Sequence, residues 1–518
     1  MNKPFATEKL QQFLYLQDRT INPFFSGRED LQIWIEKSSE AISQKHLEQS
    51  AGEPAGGMTQ VIQGAPGIGK TSLLEKIKQN SIDQLNDESE GYKTIPINIP
   101  SPKNLSADYL TRRIKETFQE LDKKVTLESA KQKTMDALQM FSSVSAFGFG
   151  VGMHQSNQEK IIVPKKCTIL LLVDEIQSIP PDPDSEVAKI LLSLHGGSEG
   201  YPILPVLAGL SNSIRVLQRI GIYRFGTDAE HYLQPLSSLE VKESIGKFMD
   251  HYNVRTTSKL TSEWGNRIGG WVDGWPKHVE NTMRSLGEEL LITEGDLSAV
   301  NPHKVKLRAT KRRVAYYNTR FGAFGTIPKI VGEIMADIGP KPRQREDIEV
   351  SILKTLEKPL WAQLTSGTYL PRLDFEFLLR HGQIDRIKKN PAIFKCPIPS
   401  LQSFAVACTG SPLHVSAYAG DLESLGEDLD TGYEINGVDD WGRTPLHLAA
   451  EYNWDKVAQI LLKEGADPKI QDNKKRLPLD MAKEGSVTYD LINKVTNPSS
   501  SPQNSRDYDY DFDPSPDC

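Results

Sequence analysis

The residues whose types and spacing carry the clearest chemistry lie between Gly64 and Ser72, in the phrase GAPGIGKTS. The form G-x-x-x-x-G-K-T between an apolar run and an amphipathic run is typical of a phosphate-binding loop that joins a strand to a helix. Glycines let such a loop wrap closely around anionic oxygens with its N–H groups turned inward. Lys70 would place a positive charge on terminal phosphates, and Thr71 would offer its hydroxyl to Mg²⁺. The alternative is a tight strand-to-helix turn without a ligand. The predicted binding residues are Gly64, Ala65, Pro66, Gly67, Ile68, Gly69, Lys70, Thr71 and Ser72.

Two adjacent carboxylates follow a second apolar run, Thr168–Val173, which is typical of a buried strand. Asp174 is predicted to orient Mg²⁺ together with Thr71, and Glu175 to activate the water that attacks the γ-phosphate. A solvated acidic turn is the alternative for such a pair taken alone. The guanine-reading phrase N/T-K-x-D does not occur in the sequence, so the predicted ligands are ATP and Mg²⁺.

The elements that must position these residues alternate between short apolar runs and amphipathic segments from about residue 22 to residue 300. This pattern predicts a parallel sheet covered by helices. The predicted strands are 58–63, 93–99, 168–173 and 203–208, and residues 236–291 are predicted to be helical.

A repeat marks the C-terminal part of the chain, where Pro412, Pro445 and Pro478 recur with a period of 33 residues. Each proline lies in a related phrase, of which T-P-L-H-x-A at Thr444 is the most regular, and this is the signature of ankyrin repeats. Because a repeat stack presents an extended concave surface, the array predicts a protein partner. His414 and His447 belong to the repeat turns and are interpreted as structural.

The nucleotide part of the chain resembles P-loop ATPases of the AAA+/STAND kind, in particular origin-recognition-like bacterial ATPases. Besides the two motifs above, Phe25-Ser-Gly-Arg-Glu29 resembles the box that runs close to the adenine in these families. By the same resemblance, Asn212 takes the place of sensor 1, and Lys277 in Gly274-Trp-Pro-Lys-His278 takes the place of the sensor 2 arginine. Arg219 or Arg224, with Arg224 preferred, is implied to reach the nucleotide of a neighbouring subunit in a homo-oligomer. Residues 378–401 resemble a winged helix.

The predicted fold class is therefore multidomain: an α/β P-loop ATPase domain with a helical lid, a winged-helix domain and an all-α ankyrin stack. The predicted boundaries are an N-terminal segment 1–21, an α/β core 22–235, a lid 236–300, a basic linker 301–324, a winged helix 325–408, ankyrin repeats 409–496 and a disordered acidic tail 497–518.

Two further stretches have alternative interpretations. Residues 304–320 hold seven Lys or Arg and no acid, which fits a patch that contacts DNA or RNA, a solvated helix face, or a surface that meets the acidic 507–513 tail of the same chain. The glycine-rich stretch 140–153 fits a structural insertion better than a second phosphate loop, because no GK[ST] follows.

The amino-acid composition excludes several classes of protein. Among 518 residues, 38% are hydrophobic and 25% charged, with a net charge of −7, which is ordinary globular composition and excludes wholesale disorder. No apolar run approaches the length of a membrane span, and four scattered cysteines fit a reducing cytoplasm.

Three functions remain open at this point: an ATP-hydrolysing switch that controls a protein partner through the repeats, a DNA-associated loader or remodeller, and a nucleotide-binding scaffold without significant turnover.

Overall fold

The computed structural model describes residues 4–15, 27–48, 59–86, 93–102, 106, 109, 112, 167–195, 203–223, 225, 229–320, 327–358, 373–387 and 393–497. The chain divides into two compact units. One comprises Met1–Arg320 with Pro340–Leu401, and the other Phe321–Gly339 with Gln402–Cys518. Among the described residues, no helix is both long enough and apolar enough to span a membrane.

The first unit is built on a parallel five-stranded sheet. Its strands are β1 Gln60–Gln63, β2 Lys93–Ile99, β3 Cys167–Val173, β4 Ile203–Gly209 and β5 Glu230–Tyr232. They lie in the order β2-β3-β4-β1-β5, and Val61 of β1 is in register with Leu207 of β4. Strands β3 and β4 are almost entirely apolar, as is typical of parallel strands buried on both faces, whereas β1 has a buried glutamine at each end, Gln60 and Gln63. All pairs are parallel, so the polar residues that follow β1, β3 and β4 come to the same edge of the sheet.

Nine helices accompany this sheet among the described residues up to Arg320. They are α1 Thr7–Tyr15, α2 Glu29–Glu48, α3 Lys70–Asn86, α4 Glu186–His195, α5 Ser213–Arg219, α6 Ser238–His251, α7 Ser258–Gly269, α8 Pro276–Ile292 and α9 Pro302–Arg320.

Helices α6 to α8 form a bundle with its own apolar core, which includes Phe248, Trp264 and Met283. Helix α6 begins with a capping box in which Ser237 and Glu240 satisfy each other's backbone N–H groups, and α8 begins with Pro276 at its first position. The N-terminal helix α1 belongs to the same bundle, since Leu10 is fully buried in this core. The sequence had set residues 1–21 apart as a separate segment.

Among its described residues, the segment 340–401 of the first unit contains two complete helices and a small antiparallel sheet. These are α11 Arg345–Leu356, α12 Phe375–Arg380, β6 Arg343–Gln344, β7 Asp385–Arg386 and β8 Ile393–Lys395, with strand order β6-β8-β7. Helix α10, Ile327–Ile338, instead belongs to the second unit. The predicted winged-helix domain, 325–408, includes both helix α10 and the segment 340–401.

The second unit contains α10 and three pairs of helices, following α13 Pro399–Ala407. The pairs are α14 Pro412–Ala419 with α15 Leu422–Asp430, α16 Pro445–Glu451 with α17 Asp455–Lys463, and α18 Pro478–Met481 with α19 Val487–Thr496. Each pair begins with a proline at the first helical position, where its missing N–H costs nothing.

The 33-residue period extends to an Arg–Asp ion pair that recurs between the helix pairs, buried in the first case and half-exposed at its arginine in the second. Arg443 is almost fully buried and donates to Asp439 at 2.8 Å, and Arg476 donates to Asp472 at 2.8 Å one period later. Arg443 also donates to the carbonyl of Ser403 at 2.9 Å, so its charge is neutralised and its donors are used.

Candidate functional site

The loop between β1 and α3 has the backbone of a closely wrapped turn. Gly67 and Gly69 have φ values of +81° and +95°, which favour glycine. A side chain at Gly67 would also collide with its surroundings, because a Cβ atom there would lie 2.2 Å from the Tyr316 hydroxyl oxygen. Helix α3 starts at Lys70, so the N-terminal end of its dipole faces this loop.

The predicted phosphate and metal residues come together at this loop. Lys70 is buried, and its Nζ donates to the carbonyls of Gly64 at 2.8 Å and Ala65 at 3.1 Å. Burial lowers the pKa of Lys70, while the charges of Asp174 and Glu175 oppose that effect. The Thr71 hydroxyl donates to Asp174 Oδ2 at 2.5 Å, although the two residues lie 103 positions apart in sequence.

The donor set at Thr71 and Asp174 is suited to Mg²⁺, because a hydroxyl and a carboxylate supply the hard oxygen ligands that this ion prefers. No group of three or more His, Cys, Asp or Glu in the described ranges is arranged to hold a metal. Magnesium at a nucleotide needs no such group, since it takes most of its remaining ligands from phosphates and water.

Glu175 follows Asp174 in a left-handed backbone conformation, with φ 58° and ψ 37°. A non-glycine residue in this region is strained, and such strain is concentrated at functional sites. The Glu175 side chain is exposed and accepts a hydrogen bond from Gln177 Nε2. Gln177 Oε1 in turn accepts from the backbone N–H of Leu210 at 3.1 Å, so Gln177 connects the ends of β3 and β4.

A cavity of about 540 Å³ opens beside this cluster. Its lining combines polar and charged side chains, including Lys70, Thr71 and Asp174, with apolar side chains, including Leu236, Val279 and Met283. A cavity of this size, lined by both charged and apolar groups, can hold a ligand that combines phosphates with a flat ring.

Of the two predicted sensor residues, Lys277 lines this cavity and Asn212 does not. Lys277 lines it, but its Nζ pairs with Glu280 Oε2 at 2.9 Å. Asn212 lines a smaller neighbouring cavity of about 190 Å³, and its Nδ2 donates to Glu376 at 3.4 Å.

Arg219 lines that smaller cavity. Arg224 lies outside the described residues, as do Phe25 and Ser26 of the predicted adenine box and the whole of 140–153. Arg28 of the same box lines the larger cavity, and its guanidinium donates to the carbonyl of Gln234.

Sequence reasoning missed the residues that form hydrogen bonds with the backbone of the loop between β1 and α3. Tyr316 donates its hydroxyl hydrogen to the carbonyl of Pro66 at 2.9 Å, and Arg320 donates to the same carbonyl. Asp385 of β7 is half-buried and accepts from the backbone N–H of Ala65 at 2.9 Å and from the Ser211 hydroxyl. Burial raises the pKa of Asp385, against the opposing effects of these hydrogen bonds and of Lys70.

Much of the basic stretch 304–320 is engaged inside the first unit. Arg308 pairs with Glu289 at 2.5 Å and Arg312 with Glu288 at 2.5 Å, both on the neighbouring helix α8. Arg313 and Arg320 are buried. These arginines hold α9 in place, which fits the predicted helix face better than a surface that meets DNA.

Comparison with known proteins adds information on the C-terminal part only. A family model described as ankyrin repeats matches residues 405–492 with three copies. An ankyrin repeat-containing protein of Schizosaccharomyces pombe is 29% identical over 89 residues, which is 17% of this chain and 43% of that protein.

Two further relatives match the same kind of segment. An ADP-ribosylation factor GTPase-activating protein of Arabidopsis thaliana is 40% identical over 79 residues, or 15% of this chain and 10% of that protein. The human neurogenic locus notch homolog protein 1 is 42% identical over 62 residues, or 12% of this chain and 2% of that protein. The chain thus spans less than half the length of each relative. Together with the helix pairs that start at Pro412, Pro445 and Pro478, these matches identify residues 405–492 as ankyrin repeats.

Proposed function

We propose that the first unit binds ATP with Mg²⁺ and hydrolyses it, and that the nucleotide state controls a protein partner of the ankyrin repeats. The observation that carries this proposal is that Lys70, Thr71, Asp174 and Glu175 all line one cavity of about 540 Å³, in which Thr71 donates a hydrogen bond to Asp174. The resemblance of the sequence motifs to P-loop ATPases supports the same proposal.

In the proposed mechanism, Lys70 and the loop N–H groups bind the phosphates, and Thr71 with Asp174 holds Mg²⁺, which neutralises the charge that develops on the phosphoryl group. Glu175 orients the attacking water and accepts its proton. Its Oε2 accepts a hydrogen bond from Gln177, which lowers the basicity of the carboxylate but leaves its other lone pairs to accept the proton. Gln177 therefore connects the reacting carboxylate to the end of β4.

Nucleotide binding is tested by calorimetric titration of ATP and Mg²⁺ into the full chain and its Lys70→Ala variant. We expect the substitution to weaken binding by about 100-fold, because a charge-assisted contact to phosphate is lost. Lys76→Ala is the matched control: Lys76 lies on the same helix but does not line the cavity, and its removal should leave affinity unchanged. Absence of ATP binding by the unaltered chain would refute the proposal.

Hydrolysis is tested with Glu175→Gln, which keeps the shape of the side chain and removes its basicity. We expect ATP affinity to change by less than about threefold and turnover to fall by about 10²- to 10⁴-fold. Equal turnover in both proteins would remove the assigned role of Glu175. If the unaltered chain binds ATP but shows no turnover, the protein is a nucleotide-binding scaffold, the alternative favoured by the hydrogen bond between Glu175 and Gln177.

Control of the partner is tested by affinity capture with the full chain, comparing its ATP-bound and nucleotide-free forms. A ligand shifts an equilibrium only by its differential affinity for the two states, so a switch requires different partner affinity in the two forms. Equal capture, with Lys70→Ala as the nucleotide-free reference, would reduce the proposal to an ATPase joined to an independent binding module.

A further inference from the structure

Arg380, the last residue of α12, lines the large cavity, whose lining also includes Lys70 and Glu175, and it lines the smaller neighbouring cavity as well. Its side chain is exposed, and no hydrogen bond or ion pair of its guanidinium occurs within the part of the chain that the structure describes. No sequence motif pointed to a nucleotide-binding role for this residue, because it lies more than 200 residues beyond the two phosphate motifs.

The natural partner of Arg380 on its own helix is already engaged. Glu376 lies four residues earlier, the spacing at which opposite charges on a helix pair. Its carboxylate instead faces Arg215 at 3.7 Å and Arg345 at 3.4 Å. Asn212 also donates to it at 3.4 Å. Arg380 therefore lines the cavity without an ion pair to any described residue.

The cation predicted to sense the terminal phosphate is in the opposite situation. Lys277 pairs with Glu280 at 2.9 Å, and Arg284 donates to the same carboxylate at 3.0 Å. Freeing Lys277 would break an ion pair, whereas Arg380 has no such pair to give up. A guanidinium also offers a fork of donors that matches phosphate oxygens, which an ammonium lacks.

We propose that Arg380 is the side chain that binds the terminal phosphate of the nucleotide and so distinguishes ATP from ADP. This inference rests on the proposed function of the cavity. It assigns the discrimination to the segment 340–401, which places α12 beside the sheet edge, and not to Lys277 of α8.

The test measures the affinities of ATP and ADP, each with Mg²⁺, for the full chain and its variants by calorimetric titration. For Arg380→Ala we expect ATP affinity to fall by about tenfold or more, and ADP affinity to change by less than about threefold. Arg380→Lys should give an intermediate ATP affinity, because the charge remains but the fork is lost. Since the side chain is exposed, both variants should keep the thermal unfolding midpoint of the unaltered protein.

Two matched variants sharpen the comparison. Arg219→Ala removes a neighbouring arginine that lines only the smaller cavity, and it should leave both affinities unchanged. Lys277→Ala should leave the ratio of ATP to ADP affinity within about threefold of the unaltered value. The inference is overturned if Arg380→Ala lowers both affinities equally or neither, or if Lys277→Ala alone abolishes the preference. Failure of the unaltered chain to bind either nucleotide would instead refute the proposed function.

Discussion

Gly67 carries two separate constraints at the residue scale, a backbone constraint and a steric one. Its φ of +81° disfavours any side chain, and a Cβ atom would lie 2.2 Å from the Tyr316 hydroxyl oxygen. We expect Gly67→Ala to lower the free energy of unfolding by about 1–3 kcal/mol and to weaken ATP binding at least tenfold, because the loop must shift. Thermal unfolding and calorimetric titration measure these effects.

A matched control for that substitution is Gly246→Ala. Gly246 lies inside α6, where an added Cβ atom meets nothing within 4 Å. There alanine should stabilise the helix by about 0.5–1 kcal/mol and leave ATP affinity unchanged. In the double variant Gly67→Ala, Tyr316→Ala, the collision with the Tyr316 hydroxyl is removed, so the part of the stability loss that it causes should be recovered. The part caused by the positive φ at residue 67 should remain. If Gly67→Ala and Gly246→Ala change stability and ATP affinity to the same extent, this account of the loop is wrong.

Asp385 predicts a pH dependence of stability. Burial raises its pKa above the ordinary 3.8, so in the folded protein the carboxyl group holds its proton to a higher pH than in the unfolded chain. Its contribution to the free energy of unfolding therefore falls as the pH rises through the window that begins at 3.8 and ends at the raised value. An asparagine at this position has no titrating proton, but its side-chain oxygen can still accept a hydrogen bond from the backbone N–H of Ala65.

The measurement is the thermal unfolding midpoint of the unaltered chain and of Asp385→Asn between about pH 4 and pH 7. We expect the midpoint of the variant minus that of the unaltered protein to increase with pH. If this difference in unfolding midpoints stays constant or decreases with pH, burial does not raise the pKa of the Asp385 carboxyl group.

How far the candidate site follows from sequence depends on how its residues are connected. Lys70 and Thr71 are constrained by a local motif, and Asp174 by its position after an apolar strand, so their types and places could be predicted. Asp385 and Arg380 reach the same loop only through the packing of a distant segment. Such a contact cannot be predicted from the spacing of residues along the chain. Lys277 was assigned to the site by resemblance, and the resemblance did not predict its ion pair with Glu280.

At the scale of elements, periodicity located most of the sheet. The apolar runs predicted at 93–99, 168–173 and 203–208 correspond to β2, β3 and β4 within one residue at each end. Strand β5 was missed because Glu230–Tyr232 is short and only half buried, so it shows no apolar run. Helix α1 is short, and its membership of the α6–α8 core depends on a tertiary contact of Leu10.

The repeat histidines predict a second pH effect, of opposite sign. His447 Nδ1 accepts from the backbone N–H of Thr444 at 3.1 Å, and Nε2 faces the carbonyl of Arg476 at 3.1 Å. This arrangement requires a neutral ring that carries its proton on Nε2. Burial lowers the pKa of His447, so stability is fully present above the ordinary 6.5 and is lost as the pH falls below it towards the lowered value.

Hydrogen exchange measured by mass spectrometry on the full chain tests this effect. After correction for intrinsic exchange rates, peptides that cover 440–452 should lose protection between about pH 7 and pH 5. His447→Gln should show lower protection at pH 7 but a smaller change with pH, since the amide oxygen accepts without titrating. His414 repeats the arrangement one period earlier and should behave alike. Protection that rises on acidification would contradict the assignment.

At the scale of the whole molecule, the second unit combines two stretches of chain that are separated by residues 340–401. Helix α10 packs against residues after 402 in this unit: Gln402 donates to the carbonyl of Met335 at 3.2 Å, and Trp441 donates to that of Ala336 at 3.4 Å. Gly332 lies so close to α13 that a Cβ atom would be 2.1 Å from the carbonyl oxygen of Ala405. Helix α10 therefore covers the first end of the repeat stack, as terminal caps do.

Removal of residues 402–518 should consequently expose the apolar face of α10, which includes Ile330, Ile334 and Met335. We expect the 1–401 fragment to self-associate and to bind a hydrophobic dye, because an exposed apolar patch of this kind favours association. Light scattering after size-exclusion chromatography gives the readout. The same fragment with Ile330→Gln, Ile334→Gln and Met335→Gln should remain monomeric, and since every residue of the nucleotide cavity lies in the first unit, it should keep the ATP affinity of the full chain. A monomeric, dye-negative 1–401 fragment without these substitutions would show that α10 needs no cover from the repeats.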